Sequence, residues 1–94
     1  MTIREVRIRP QTLDKIIWKH HITEAEIRQV FRNRHQIRFI ERGKVENEHL
    51  YAVLGQTDSG RYVTVFFIHK QNRDALLVTA RDMSAQERKR YEKK

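Results

Sequence analysis

Twenty lysine and arginine side chains against twelve carboxylates leave this 94-residue chain at a formal charge of +8, so guanidinium and ammonium groups are its main chemical resource. A surplus of that size draws polyanions by counterion release and long-range steering. Arg61 opens the apolar stretch 62–68, and Arg81 closes the stretch 75–80. Arginine carries a planar fork of donors that matches phosphate, so two of them at one end of a sheet make a candidate phosphate clasp. Trp18, Lys19 and His20 are consecutive. They combine a stacking ring, a cation and an imidazole that titrates near neutrality, the mixture that RNA handling requires. Arg61, Arg81, His20 and Lys19 are therefore the candidate catalytic set, and Trp18 is a candidate for stacking a base. The basic run near the C-terminus adds Arg88 and Arg90 as RNA contacts and Tyr91 as a second stacking ring. Most have a plainer reading: Trp18 and Tyr91 as packing aromatics, His20 as a satisfied residue under the helix turn, Arg61 as a solvated turn residue, Arg81 paired to Asp82 or Asp58, and the 88–90 run as a solvated helix face.

Other chemistries are excluded. There is no cysteine, which removes disulfides, thiolate zinc sites, iron–sulfur clusters and cysteine nucleophiles, and points to a reducing cytoplasm. Of the five histidines, His20 and His21 are adjacent and point about 100° apart on a helix, with no partner at metal-ligand spacing. No metal and no cofactor is expected, because three glycines also build none of the phosphate-cradling loops of nucleotide enzymes. The longest uncharged apolar stretch, 62–68, falls far short of the roughly 20 residues that span a bilayer, and charged Arg4, Glu5 and Arg7 replace the apolar core of an export signal.

The elements that must hold these residues read as one α+β domain over 1–94. Residues 2–9 alternate imperfectly, which suits a short edge strand or an extended arm. Pro10 then opens a first helix whose stripe is Leu13, Ile16 and Ile17 with His20 one turn on, ending near His21. Thr23 and Glu26 have capping-box spacing with Ile22 and Ile27 as a hydrophobic staple, so a second helix follows after a very short turn. From Gln36 the period changes to two, predicting strands through Ile37–Ile40, at about 48–56, at 61–69 and at 75–81, the second and third joined by the turn Thr57-Asp58-Ser59-Gly60. Ser84 and Glu87 repeat the capping box ahead of a charged terminal helix over 86–94. The expected architecture is two N-terminal helices, an antiparallel sheet of three or four strands, and a C-terminal helix.

Register then brings residues together. A symmetric 57–60 turn sets Gln56 opposite Arg61 and Glu48 opposite His69, and a hairpin through 70–74 sets Val63 opposite Arg81. Arg61 and Arg81 share one end of that sheet. Glu48, His49 and His69 share the other, about 25 Å away at the rise of a strand, so the two groups cannot serve one phosphodiester. The arginine end has the stronger claim, since the first amides of the terminal helix add to its positive field, partly opposed by Asp82.

The order of these residues resembles BrnT-type toxins of type II toxin–antitoxin systems, members of the RelE-like ribonuclease superfamily. Lys19-His20-His21-Ile22 followed by Thr23, Glu24, Glu26 and Ile27 is similar to that family's K-H-G-[VI]-[ST]-x-E-E segment. Val78-Thr79-Ala80-Arg81, then Glu87-Arg88, Arg90 and Tyr91, resembles its I-S-A-R strand end and E-R-R-x-Y helix. Between them Glu48, Gly55, Gly60-Arg61 and the apolar stretch 63–67 fall in the family's order, so the likeness covers roughly 13–91. It departs at His21, where the family has glycine, at Arg9-Pro10, where it has Trp-Asp-Pro, and at Leu50 or Tyr51, where an arginine is common.

What the resemblance implies is a RelE-like fold, a metal-independent endoribonuclease toxin, and a cognate ribbon-helix-helix antitoxin through which alone operator DNA is bound. In that chemistry the ribose 2′-hydroxyl attacks the adjacent phosphate. By position, Arg61 and Arg81 would hold the phosphate while Lys19 and His20 orient or transfer protons. The alternative expectation is a non-catalytic nucleic-acid-binding or partner-binding module of the same fold.

Overall fold

The computed structural model describes residues 1–93. Its elements are β1 (Val6–Arg7), α1 (Pro10–His20), α2 (Glu24–Arg32), β2 (His35–Glu41), β3 (Leu50–Gln56), β4 (Tyr62–His69), β5 (Ala75–Asp82) and α3 (Ala85–Glu92), an α+β arrangement. Pro10 sits in the first turn of α1, where its missing N–H leaves no bond unmade. His21 ends that helix in the left-handed region at φ 55°, its N–H closing on the Ile17 carbonyl. Thr23 and Ser84 open α2 and α3 with reciprocal capping boxes to Glu26 and Glu87, as their spacing predicts. α3 stops at Glu92; for Lys94 the expectation of helix lies outside the described residues.

The sheet order is β1-β5-β4-β3-β2. It is five-stranded and mixed rather than a three- or four-stranded antiparallel sheet, because β1 runs parallel to β5 through Val6↔Ala75 and Arg7↔Leu76. Asp74 explains why the arm is ordered enough to add that strand. Its side chain is 1% exposed and accepts from Arg4 Nε and Nη2 at 3.0 and 3.1 Å, and also from Arg7 Nε and Asn72. A buried carboxylate needs such partners. Hydrogen bonds from Arg7 and then Arg4 hold it below the usual carboxylate range.

The central strand β4 is covered on both faces. Val63, Val65 and Phe67 pack with Val53 beneath α1 and α2, whose Ile16, Ile22, Ile27 and Val30 are buried. On the other face Tyr91 of α3 lies with Ala52 and Leu54, flanked by Tyr62 and Phe66. No helix among the described residues is long and apolar enough to cross a membrane.

Both hairpins depart from the symmetric register, the first at its turn and the second at a bulge. The 58–60 turn has three residues with Gly60 at φ 94°, so Thr57 faces Arg61 through an N–H···O bond of 2.9 Å, and Gln56 pairs with Tyr62. A three-residue loop closing on a left-handed residue is the common alternative to a two-residue turn. In consequence His49, not Glu48, lies across from His69. The second hairpin keeps the expected register from His69↔Ala75 to Phe67↔Leu77. Val78 then bulges, and Phe66 pairs with Thr79, Thr64 with Arg81 and Val63 with Asp82. A shift of one residue turns every later side chain to the opposite face. Arg81 therefore faces α3, and Asp82 faces α1 and α2.

Candidate functional site

Arg61 and Arg81 do share one end of the sheet, but they stand on opposite faces. Arg61 reaches under the C-terminus of α1. Its Nε donates to Asp82 Oδ1 at 2.8 Å, Nη1 to the His21 carbonyl at 2.8 Å and to Glu26 at 3.5 Å, and Nη2 to the His20 carbonyl at 3.0 Å and Asp82 Oδ2 at 3.4 Å. A guanidinium carries five N–H groups. All of Arg61's are engaged, and Asp82 above all holds the group firmly protonated. It caps the helix with a cation at the negative end of its macrodipole and leaves no donor for a phosphate.

Arg81 closes a knot beneath the start of α3. Its Nη1 and Nη2 grip Glu87 at 2.7 and 2.9 Å, Nη1 also reaches the Asp82 carbonyl at 3.1 Å, and the guanidinium lies 5.1 Å from the centre of the Phe66 ring. Glu87 further accepts from the Ser84 N–H and the Thr64 hydroxyl. Burial alone would push the Glu87 carboxyl up; the Arg81, Ser84 and Thr64 bonds outweigh it and bring the group down to about 2. The convergent two-arginine clasp is thus corrected. The Val78 bulge separates the two groups by face, and each is locked onto carboxylates. Arg81 pairs with Glu87, not with Asp82 or Asp58 side chains.

The other half of the candidate set remains together. Lys19 and His20 line a hollow of about 210 Å3 with Lys15, Thr12 and Ile16 of α1 and with Val78 and Thr79 of the bulged strand. Trp18 is 79% exposed on the same helix. Lys15 and Lys19 form no ion pair, and the His20 ring makes no hydrogen bond, among the described residues. Sequence reading missed Lys15, although its spacing of four from Lys19 put both on one side of the helix beside Trp18. It also missed the bulge, whose Val78 and Thr79 line the hollow and which has no local signature in the sequence.

At α3 the outcome is divided. Tyr91 is buried, 2% exposed, and donates its hydroxyl to the Arg34 carbonyl at 3.1 Å, so its proposed base-stacking role is corrected to packing. Arg88 lies 4.0 Å over the Tyr62 ring and 3.5 Å from Glu92, which makes it a surface brace more than an open contact. Arg90 stays open, lining a shallow hollow with Lys89, Lys93 and Gln86.

At the far end Glu48 bonds Lys70 at 2.7 Å and the Gln71 N–H at 3.2 Å, and the Lys70 bond holds its carboxyl below the usual range. His49 accepts from the Gly43 N–H, and the His69 ring bonds the Thr2 carbonyl. Among the described residues no group of three or more His, Asp or Glu side chains is placed to hold a metal ion. No family model matches the chain, and no curated protein matches it.

Proposed function

We propose that this chain binds single-stranded RNA along the outer side of α1, as a domain of the BrnT-type, RelE-like toxin kind. The observation that carries the reading is Trp18, 79% exposed, with Lys15 and Lys19, unpaired among the described residues, on the same helix. A tryptophan is ordinarily mostly buried. Here the ring offers a base its face while two ammonium groups lie within reach of the backbone phosphates, the combination of stacking and charge that holds single strands. Lys89 and Arg90 on α3 lie across the sheet from α1 and add to the net positive charge, not to this surface. A ribbon-helix-helix antitoxin is the protein partner that the family likeness proposes, with operator DNA bound only through it.

The test is fluorescence anisotropy with a short unstructured RNA over a range of salt. Trp18→Ala weakens binding about tenfold, since stacking is worth about 1–3 kcal/mol per base. Lys15→Ala with Lys19→Ala lowers the salt slope by about 1.4, or about 0.7 for each phosphate that a lysine no longer neutralises on a single strand. Affinity unchanged in both variants refutes the site.

A second reading, endoribonuclease activity without metal, is favoured by the His20 ring, which makes no hydrogen bond among the described residues and lines the hollow with Lys19. The imidazole takes the 2′-hydroxyl proton, the oxygen attacks phosphorus, and the 5′-oxygen leaves with a proton from Lys19 or water, giving a cyclic phosphate and a 5′-hydroxyl. In this version Arg61 and Arg81 hold the scaffold and touch no phosphate. Cleavage in chelator that His20→Ala abolishes, with binding retained, establishes it; intact RNA with wild-type protein rejects it.

A further inference from the structure

We propose that the cleft between the N-terminal arm and α2 is a second ligand site, shaped for one nucleotide carrying a phosphate. It encloses about 400 Å3, within the range of small-molecule sites, and shares no residue with the α1 hollow. The site therefore stands apart from the RNA reading.

The floor is apolar, built from Ile3, Val6 and Phe31. The Phe31 ring is held by edge contacts to Phe67 of the core at 5.5 Å and to His35 at 6.5 Å. Above it stand Arg4, Arg28, Arg32 and His35, against the single carboxylate of Glu5. Counting donors separates these arginines from Arg61. Arg4 uses Nε and Nη2 on Asp74 and keeps Nη1. Arg32 uses Nη2 alone, on Asp58 at 2.9 and 3.1 Å, and keeps Nε and Nη1. Arg28 spans Glu24 and the Val6 carbonyl, which ties the arm to α2 across the cleft. His35 donates from Nδ1 to the Asn33 carbonyl at 2.8 Å, and its Nε2 has no hydrogen-bond partner among the described residues.

An aromatic floor, unengaged guanidinium donors and a free imidazole nitrogen match three parts of one ligand: a base, a phosphate and a ribose hydroxyl. A bare phosphate leaves the floor unused, and a neutral nucleoside leaves the arginines unused.

Adenosine 5′-monophosphate is the probe, titrated into the full chain and followed by amide NMR, with adenosine and inorganic phosphate as separate arms. The nucleotide shifts amides of the arm and α2 and binds at least tenfold more tightly than either fragment. Arg32→Gln weakens it about tenfold; among the described residues the only ion pair this removes is an exposed one to Asp58, so folding is retained. Phe31→Leu, which keeps an apolar side chain, weakens the nucleotide and leaves inorganic phosphate unchanged. Shifts confined to α1 or α3, equal binding of phosphate and nucleotide, or undiminished binding in Arg32→Gln each overturn the site.

Discussion

Replacing Glu87 by glutamine is the most direct test of the knot that ties β5 to α3. The Glu87 side chain is 14% exposed, and its carboxyl lies at about 2 against an ordinary 4.5. A depressed carboxyl stabilises the fold fully above its unfolded value and loses that contribution as pH falls toward its folded one. The window therefore runs from about 4.5 down to about 2. At about 1.4 kcal/mol per unit, the contribution at neutral pH is about 3 kcal/mol, a large part of the ~5–15 kcal/mol that holds a small domain. Glutamine keeps the shape and one acceptor but leaves the Arg81 charge uncompensated, and costs a similar amount. The assay is urea unfolding by far-ultraviolet circular dichroism at several pH values between 7 and 2.5. Asp74, Glu48 and Asp58 are also held low, so both proteins weaken in acid, and the informative quantity is the difference between them. That difference narrows by about 1.4 kcal/mol per pH unit through the window. A constant difference across it refutes the reasoning, because the carboxylate would then contribute no charge-dependent stability.

Arg61→Lys keeps a cation but loses the fork that spans two helix carbonyls and Asp82; it lowers stability by about 2 kcal/mol in the same urea assay, while RNA affinity measured well below the melting temperature stays within twofold of wild type. His21→Gly relieves a left-handed residue and raises stability by about 1 kcal/mol, read as a higher midpoint in thermal unfolding; a lower midpoint would mean that the histidine side chain outweighs the backbone strain.

Local signals in the sequence accounted for most of the elements. Thr23 with Glu26, Ser84 with Glu87, and Pro10 mark helix starts because a cap is built from residues three apart or from one fixed dihedral. The nearly unbroken apolar run of β4 marks a strand covered on at least one side. Non-local geometry was not legible in the same way. Nothing near Asp74 marks it as the anchor of Arg4 and Arg7, which lie about 70 residues earlier, so the fifth strand read only as an arm or edge. The site divided along the same line. Trp18, Lys19 and His20 are neighbours in the chain and stayed together, whereas the joining of Arg61 to Arg81 required two hairpin registers, and the count of residues in a turn or bulge is set by packing that no short window contains.

The extra residue at Val78 gives the two halves of β5 opposite parity. Gaining or losing one uncharged amino acid there is enough to carry a guanidinium through the sheet, from one compartment to another about 10 Å away, with the net charge unchanged. Two chains that align letter for letter around Val78-Thr79-Ala80-Arg81 can therefore differ in what that arginine is able to touch. Ancestry traced through such a motif speaks to shared descent, while inheritance of chemistry turns on an insertion that the alignment scores as a single gap.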